Sequence, residues 1–178
     1  MSTKSSSNIV IVGAGSAGFL LFRDLSAKLS DTDYNLIVVE PRNFVVHLPS
    51  TIRMVVTPEG GYENKSIMDH PSTLTSEKVR FVYAEVTSIV DGSDGGRVEL
   101  NNGESVDYSI LILATGSRWA GPLAFGTTKK QVLESVNSWR TKFAEAQDVV
   151  FVGGGAIGFG EITLRLQKTR SGFNMFSP

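Results

Sequence analysis

The stretch NIVIVGAGSAG at residues 8–18 decides the fold of this 178-residue chain. Its first half, from Asn8 to Val12, is a short β-branched run that is typical of a parallel strand buried on both faces. Apolar residues at helical spacing follow over about 16–29, and residues 36–39 predict a second buried strand. A strand, a helix and a strand in this order predict a βαβ unit with a parallel sheet.

The glycines after the first strand predict a dinucleotide-binding turn. They form the G-x-G-x-x-G motif Gly13-Ala14-Gly15-Ser16-Ala17-Gly18. In this motif the first glycine makes the tight turn, the second lets backbone approach a pyrophosphate, and the third lets the helix pack on the strand. Glu40 ends the second strand, where a carboxylate can accept hydrogen bonds from a ribose diol. Two alternatives stay open: a purely structural glycine turn, and NAD rather than FAD as the ligand.

Composition and charge exclude several other classes of protein. The formal net charge of −1 leaves no basic footprint for nucleic acid or an anionic membrane. The absence of cysteine excludes disulfides, thiolate metal sites and a redox-active dithiol, so redox chemistry requires a bound cofactor. The sequence contains neither a secretion signal nor the ~20 apolar residues of a transmembrane helix. We expect a soluble cytoplasmic protein, with an organelle left open, and predict no metal site.

Several residues after the second strand are further candidates for contact with the cofactor. Pro41 and Arg42 begin a turn, and Arg42 is either a partner for a phosphate at the adenine end of the ligand or a solvated arginine. Residues 44–56 predict an irregular covering loop. His47 and Arg53 lie in it as polar groups in an apolar setting, and each has two interpretations, a role near the cofactor or a structural one.

The middle of the chain predicts an antiparallel meander. Residues 64–77 predict at most a short helix and a loop, with His70 at the surface. Extended segments and glycine turns predict the meander over about 79–107. A buried strand follows over 109–113 and ends in the small residues Ala114, Thr115 and Gly116.

The last third predicts a helix and a second glycine motif. Helical spacing over 127–147 places Val132, Val136, Trp139 and Phe143 on one stripe, which we interpret as core. Residues 148–152 predict a third buried strand. The sequence Gly153-Gly154-Gly155-Ala156-Ile157-Gly158 then repeats G-x-G-x-x-G.

Two glycine motifs with Ala114-Thr115-Gly116 between them resemble the flavoproteins with two dinucleotide-binding domains, the pyridine nucleotide-disulfide oxidoreductase superfamily. The sequence from Glu40 to Pro49, with Arg53 after it, is most similar to the apoptosis-inducing-factor-like branch, which uses no protein disulfide. The resemblance implies an α/β, FAD/NAD(P)-binding, Rossmann-like three-layer fold with an antiparallel meander, plus the start of a second Rossmann unit. It also implies FAD as cofactor, NAD(P)H as electron donor, and a quinone-like or other small-molecule acceptor.

The resemblance also implies roles by position. The first motif would hold the FAD pyrophosphate, Glu40 the adenosine ribose, and residues 114–116 would line the strand end near the cofactor. Arg53 and His47 would approach the flavin or its acceptor. The glycines of the second motif that would receive the NAD(P)H pyrophosphate are Gly153, Gly155 and Gly158. No side chain is assigned as a catalytic acid, because hydride passes directly between the cofactors.

The predicted domains are an FAD-binding domain over 8–118 and the start of an NAD(P)H-binding domain over 119–178. After Gly158 the sequence departs from the family pattern, and we expect an amino-terminal fragment, from a truncated gene model or a splice product. Three functions stay open: an FAD-dependent NAD(P)H oxidoreductase, a truncated non-catalytic nucleotide-binding or interaction protein, and an ordinary NAD-dependent dehydrogenase. The oligomeric state is not predicted.

Overall fold

The computed structural model describes residues 7–29, 33–70, 79–150, 152 and 155. The chain divides into two compact units. Unit 1 comprises Met1–Val45 and Asp69–Arg118, and unit 2 comprises Val46–Met68 and Trp119–Pro178. One border therefore falls at the predicted boundary after residue 118, whereas residues 46–68 belong to the other unit. The assignment of these parts to cofactor domains stays a prediction.

The described residues form nine strands, four α-helices and one 3-10 turn. The strands are β1 (Ser7–Val12), β2 (Tyr34–Val39), β3 (Phe44–Val46), β4 (Ile67–Asp69), β5 (Val79–Val82), β6 (Val86–Gly92), β7 (Gly95–Leu100), β8 (Ser105–Tyr108) and β9 (Ile110–Leu113). The helices are α1 (Ser16–Lys28), α2 (Leu48–Val56), α3 (Glu63–Ser66) and α4 (Lys129–Glu145), with a 3-10 turn at Gly121–Leu123. The predicted helix over about 16–29 is thus confirmed to within one residue.

Unit 1 is built on a four-stranded parallel sheet with the order β5-β2-β1-β9. β1 lies in the middle, paired with β2 from Ser7 to Val12 and with β9 from Ile9 to Val12. Its β-branched side chains suit a strand that is covered on both faces. The carboxyl ends of β1, β2 and β9 consequently meet at one edge of the sheet, where parallel α/β folds place their ligands.

The two faces of β1 pack against different layers. Ile9 and Ile11 lie in a buried cluster with Phe22 of α1, which is fully buried. Val10 and Val12 lie in a second cluster with Val98 of β7. The second cluster is covered by β6, β7 and β8, which form an antiparallel sheet in that order. Unit 1 therefore has three layers, helix, parallel sheet and meander, and the predicted three-layer α/β fold with an antiparallel meander is confirmed.

One boundary of the predicted meander was wrong. Residues 79–82 form β5, which pairs in parallel with β2 from Leu36↔Val79 to Val39↔Val82. β5 is therefore an edge of the main sheet and not the first strand of the meander. The alternating pattern predicts an extended segment but does not say which strand it pairs with. In the structure Val79 is buried in the cluster with Phe22 of α1, which is consistent with a place in the main sheet.

Unit 2 contains packed helices where an irregular loop was predicted over 44–56. That prediction was wrong: the segment forms β3 and then α2. Pro49 stands in the first turn of α2, where a missing N–H costs nothing, and Thr51, Met54 and Val55 are buried. α2 packs against α3, α4 and the 3-10 turn. β3 and β4 form a two-stranded sheet.

The predicted helix over 127–147 is confirmed as α4. Thr128 and Gln131 form a capping box at its start, in which each side chain bonds the other residue's backbone amide. Val132 and Val136 are fully buried, as the apolar stripe predicts. Arg140 of the same helix donates from Nε to the carbonyl of Met54 at 2.7 Å. α4 is therefore held to α2 by apolar packing and by a hydrogen bond to backbone.

A largely buried ion pair adds to this contact inside unit 2. Arg140 Nη2 lies 2.9 Å from Glu63 Oε2, and both side chains are mostly shielded from solvent. The hydrogen bond from Arg140 holds the pKa of Glu63 below its ordinary value of 4.5. The pair joins α4 to α3 and is a stabilising contact at neutral pH.

The predicted buried strand over 148–152 was wrong for the residues that the structure describes. Residues 148–150 and 152 carry no strand, and Val150 and Val152 are exposed, at 86% and 95%. A buried parallel strand needs a neighbouring strand on at least one side. In the described part of unit 2 the strand residues belong only to β3 and β4, which pair with each other.

Candidate functional site

The turn after β1, residues 13–18, is closed on its inner side. Gly13 is buried with φ at 101°, and its amide donates to the Val39 carbonyl at 2.8 Å. A β-carbon on Gly13 would collide with the carbonyl oxygen of Ala114, and one on Gly18 would collide with the carbonyl oxygen of Gly13. The first and third glycines of the motif are therefore required for packing, as the motif predicts.

The same turn is open on its outer side. A β-carbon on Gly15 would meet nothing within 4 Å, and its φ of −67° suits any residue. Gly15 is the N-cap of α1 and supplies no side-chain cap, and the first helical turn contains no acidic residue. Ser16 and Ala17 are exposed. The first amides of α1 and its positive dipole end are therefore available to an anion.

Glu40 follows β2 directly and lies against the turn. Its Oε2 accepts a hydrogen bond from the Ala14 amide at 2.7 Å, and its Oε1 accepts one from the Arg42 amide at 3.2 Å. The side chain is half-buried, and each carboxylate oxygen keeps capacity for a further donor. A carboxylate acceptor and an anion site thus stand side by side at the edge of the sheet.

Arg42 and Pro41 continue from this carboxylate. Pro41 is exposed and Arg42 is half-buried. Arg42 Nε is buried and has no hydrogen-bond partner in the part of the chain that the structure describes. A buried guanidinium donor without a partner is costly, so a bound anion would relieve it. This supports the phosphate interpretation of Arg42, which stays a prediction.

The segment Ala114-Thr115-Gly116 lies where β9 meets the turn. The Ala114 amide donates to the Val12 carbonyl at 2.8 Å, which extends the pairing of β1 with β9 by one residue. Thr115 and Gly116 are exposed, and Gly116 has φ at 71°, a conformation that favours glycine. The structure therefore brings residues 13–18, Glu40 and residues 114–116 to one edge of unit 1.

His47 and Arg53 belong to unit 2. His47 is the N-cap of α2, and its Nδ1 lies 2.9 Å from Ser50 Oγ. Arg53 stacks on Tyr62, with Cζ 4.8 Å from the ring centroid, and its buried Nε has no partner among the described residues. Both side chains have local structural contacts, and their role at a cofactor stays a prediction.

The second glycine motif is described only at Gly155. This residue is exposed, and a β-carbon on it would meet nothing within 4 Å. Gly153 and Gly158 lie outside the described residues. The assignment of this motif to NAD(P)H stays a prediction.

Sequence reasoning placed His70 at the surface, and this was wrong. The ring is half-buried and stacks on Phe81 at 4.8 Å between centroids, and its Nε2 is buried. Burial lowers the pKa of His70, while Glu40 and Asp69 oppose that shift. Tyr83 lies beside it at 6.0 Å. The alternation of Phe81 and Tyr83 along the chain was the available signal, because residues i and i+2 of a strand share a face.

The residues at this edge fit the adenosine diphosphate half of FAD. The turn is closed where packing requires it and open at Gly15, the helix amides are uncapped, and the Glu40 carboxylate stands next to them. These features suit a pyrophosphate and a ribose diol in that order. The fold and the site together define a dinucleotide-binding α/β protein.

Comparison with known proteins identifies the family. The family model described as "Pyridine nucleotide-disulphide oxidoreductase" matches residues 7–167, so the chain belongs to that family. The chain is 35% identical over 112 residues to the FAD-dependent oxidoreductase FVFD30 of Flammulina velutipes, with 61% of this chain and 35% of that protein covered. It is 32% identical over 178 residues to apoptosis-inducing factor 1 of Saccharomyces cerevisiae, with 96% and 44% covered.

A solved structure shows the same fold. The putidaredoxin reductase chain of a covalent complex with putidaredoxin superposes with a TM-score of 0.61 at 23% identity, over 92% of this chain and 40% of that one. The predicted membership of the apoptosis-inducing-factor-like branch is confirmed, and so is the family's cofactor class, FAD with a pyridine nucleotide. The chain spans less than half the length of these relatives. Among the described residues, no helix has the length and apolar character needed to cross a bilayer.

Proposed function

We propose that this chain binds FAD through unit 1 and belongs to an oxidoreductase that takes electrons from NADH or NADPH. The observation that carries the proposal is the turn at 13–18, closed by Gly13 and Gly18 and open at Gly15, with Glu40 bonded to its Ala14 amide. Bound FAD would supply the redox chemistry, accepting hydride from the pyridine nucleotide and passing two electrons to a quinone-like or other small-molecule acceptor.

The residues of this chain would bind FAD and orient it. The amides at the start of α1 would hold the pyrophosphate, since they lack a side-chain cap. Glu40 would accept hydrogen bonds from the adenosine ribose while it keeps the turn in shape, because its oxygens are held by the amides of Ala14 and Arg42. The backbone of residues 114–116 would border the cofactor. Arg42 would offer to a phosphate its Nε, which has no partner among the residues that the structure describes.

The two curated relatives support this proposal in different ways. One is named an FAD-dependent oxidoreductase, and the other an apoptosis-inducing factor whose match includes 96% of this chain. The match with the yeast protein therefore includes the turn, Glu40 and the segment at 114–116. None of these positions needs a protein thiol, in agreement with a chain that contains no cysteine.

The test is uptake of FAD by the full 178-residue chain, followed by reduction. Purified protein is mixed with FAD, passed through a desalting column and examined for the visible flavin band. We expect flavin to stay with the parent protein and to be lost from Gly15→Val. Loss of flavin from the parent under the same conditions would contradict the proposal.

A second measurement separates the oxidoreductase from a nucleotide-binding protein without catalysis. NADH or NADPH is added to the FAD-loaded protein without oxygen, and bleaching of the flavin band is followed in time. Bleaching faster than that of free FAD supports the oxidoreductase. Bleaching no faster than that of free FAD would leave FAD binding as the function of this chain.

A further inference from the structure

The carboxyl ends of β2 and β5 lie next to each other in unit 1. The Glu40 amide donates to the Val82 carbonyl at 3.0 Å, and the Ala84 amide donates to the same carbonyl at 3.1 Å. Tyr83 is therefore the central residue of a tight turn that begins beside Glu40. Tyr83 directly follows β5 and Glu40 directly follows β2, so the two residues stand at neighbouring strand ends.

Tyr83 is exposed, but contacts with His70 hold its ring in one orientation. The residue is 51% exposed, yet its ring lies nearly parallel to that of His70, at 6.0 Å between centroids and an interplanar angle of 9°. Its hydroxyl lies 3.5 Å from His70 Nδ1. A large exposed aromatic ring that is already oriented loses little conformational entropy when a second flat ring stacks on it.

The support for Tyr83 reaches into the core. His70 stacks on Phe81 at 4.8 Å and 26°, and Phe81 meets Phe22 edge to face at 4.9 Å. We call Phe22, Phe81, His70 and Tyr83 the aromatic stack. Since Phe22 is fully buried, the stack extends from the α1 cluster to the surface beside Glu40. Burial lowers the pKa of His70, which favours a neutral ring in this position.

We propose that Tyr83, held in place by His70, is the surface on which the purine base of the bound dinucleotide stacks. The inference rests on the FAD binding proposed above and adds the recognition of the base. The ribose carboxylate and the exposed ring lie on neighbouring strand ends, so a ligand that reaches Glu40 with its ribose has its base next to Tyr83. His70 is a positioning residue, which acts through the orientation of Tyr83.

The test compares ligands that share only part of FAD. Dissociation constants are measured for FAD, for ADP, which keeps the purine, and for FMN, which lacks it. Tyr83→Ala is expected to weaken FAD and ADP by the same factor, roughly tenfold or more, as for a lost base-stacking ring, and to leave FMN unchanged. Tyr83→Phe keeps the ring and is expected to stay within about threefold of the parent.

Tyr34 offers a matched control. It is also a partly exposed tyrosine, but it starts β2 at the opposite end of the strand from Glu40. Tyr34→Ala is expected to leave all three dissociation constants unchanged. His70→Ala is expected to weaken ADP by roughly threefold, and His70→Phe, which can still stack on Tyr83, is expected to restore it.

The possible results distinguish a failure of the proposed stacking on Tyr83 from a failure of the proposed FAD binding. A parent chain that binds neither FAD nor ADP overturns both. If the parent binds FAD and Tyr83→Ala leaves the affinity for ADP unchanged, the proposed stacking of the purine on Tyr83 is overturned, while FAD binding stands. Equal weakening of ADP and FMN in Tyr83→Ala, or a loss of folded circular dichroism, would also overturn it, because the effect would then not be specific to the base.

Discussion

The amide of Ala14 donates a 2.7 Å hydrogen bond to Glu40 Oε2, across 26 residues of sequence. This bond joins the turn after β1 to the end of β2. A residue that sequence motifs assign to ribose recognition is thus also part of the structure of the phosphate turn. Variants of Glu40 must therefore separate two roles, the binding of a ligand and the support of residues 13–18.

Glu40→Gln and Glu40→Ala are expected to differ. Glutamine keeps one oxygen that can accept from Ala14 but removes the charge, so FAD affinity should fall by roughly 1–3 kcal/mol with little change in thermal stability. Alanine removes the acceptor as well, so both FAD affinity and stability should fall. Calorimetric binding and thermal unfolding check this. Unchanged FAD affinity in both variants would exclude Glu40 from the ribose site.

Gly15 and Gly18 are expected to respond in opposite ways to the same substitution. Gly15→Val adds a side chain in open space, so the protein should fold normally and fail to retain FAD. Gly18→Val drives a side chain into the Gly13 carbonyl and should cost roughly 3 kcal/mol of folding stability. Denaturant unfolding and flavin retention are measured together.

Ala27→Val is the control for added bulk on the same helix. Ala27 is exposed in α1, two turns or more from the glycine turn, and its replacement should change neither flavin retention nor stability by more than about 0.5 kcal/mol. Retention of FAD by Gly15→Val at the parent level would show that no ligand passes over Gly15.

The sequence predicted which residues meet at the sheet edge of unit 1 better than it predicted the secondary structure of unit 2. The glycine motif and Glu40 combine local turn geometry with a fixed spacing, so they determine position without knowledge of the rest of the fold. The partner of Val79–Val82 and the burial of His70 depend on contacts between segments distant in sequence, which periodicity does not encode. Residues 44–56 predicted an irregular loop, although Pro49 also suits the first turn of a helix, the position that it has in α2.

Arg140→Met is expected to destabilise the protein by roughly 2 kcal/mol, because it removes a charged hydrogen bond to Glu63 and a bond to the Met54 carbonyl. Denaturant unfolding at pH 7 measures it. Lys130→Met is the matched control, since it breaks the exposed pair with Glu134 in the same helix and should cost less than about 0.5 kcal/mol. Equal effects of the two variants would contradict the importance of the buried pair.

The same pair predicts a pH dependence. The pKa of Glu63 is lower in the folded chain than its ordinary value of 4.5, so its contribution is complete above that pH and is lost as pH falls through the lowered pKa. The difference in unfolding free energy between the parent and Arg140→Met should therefore shrink below pH 4.5. A difference that stays constant down to pH 3 would assign it to packing alone.

His70 predicts a second pH dependence, in a higher range. Burial lowers its pKa below the ordinary 6.5, so the unfolded chain binds a proton more readily than the folded one. The unfolding free energy should consequently fall as pH drops through about 6.5 towards the lowered pKa, and this part of the slope should vanish in His70→Phe. Denaturant unfolding between pH 8 and pH 5 measures it, and identical slopes in the two proteins would contradict it.

The two faces of β1 carry a consequence for how this sequence can change over time. Ile9 and Ile11 pack against α1, whereas Val10 and Val12 pack against the meander. Neighbouring positions on one strand therefore belong to two separate hydrophobic clusters. A compensating change for residue 9 or 11 should arise in the helix, and one for residue 10 or 12 in β7 or β8. Insertion of a single residue into β1 would exchange the two sets and has no compensating substitution in either layer.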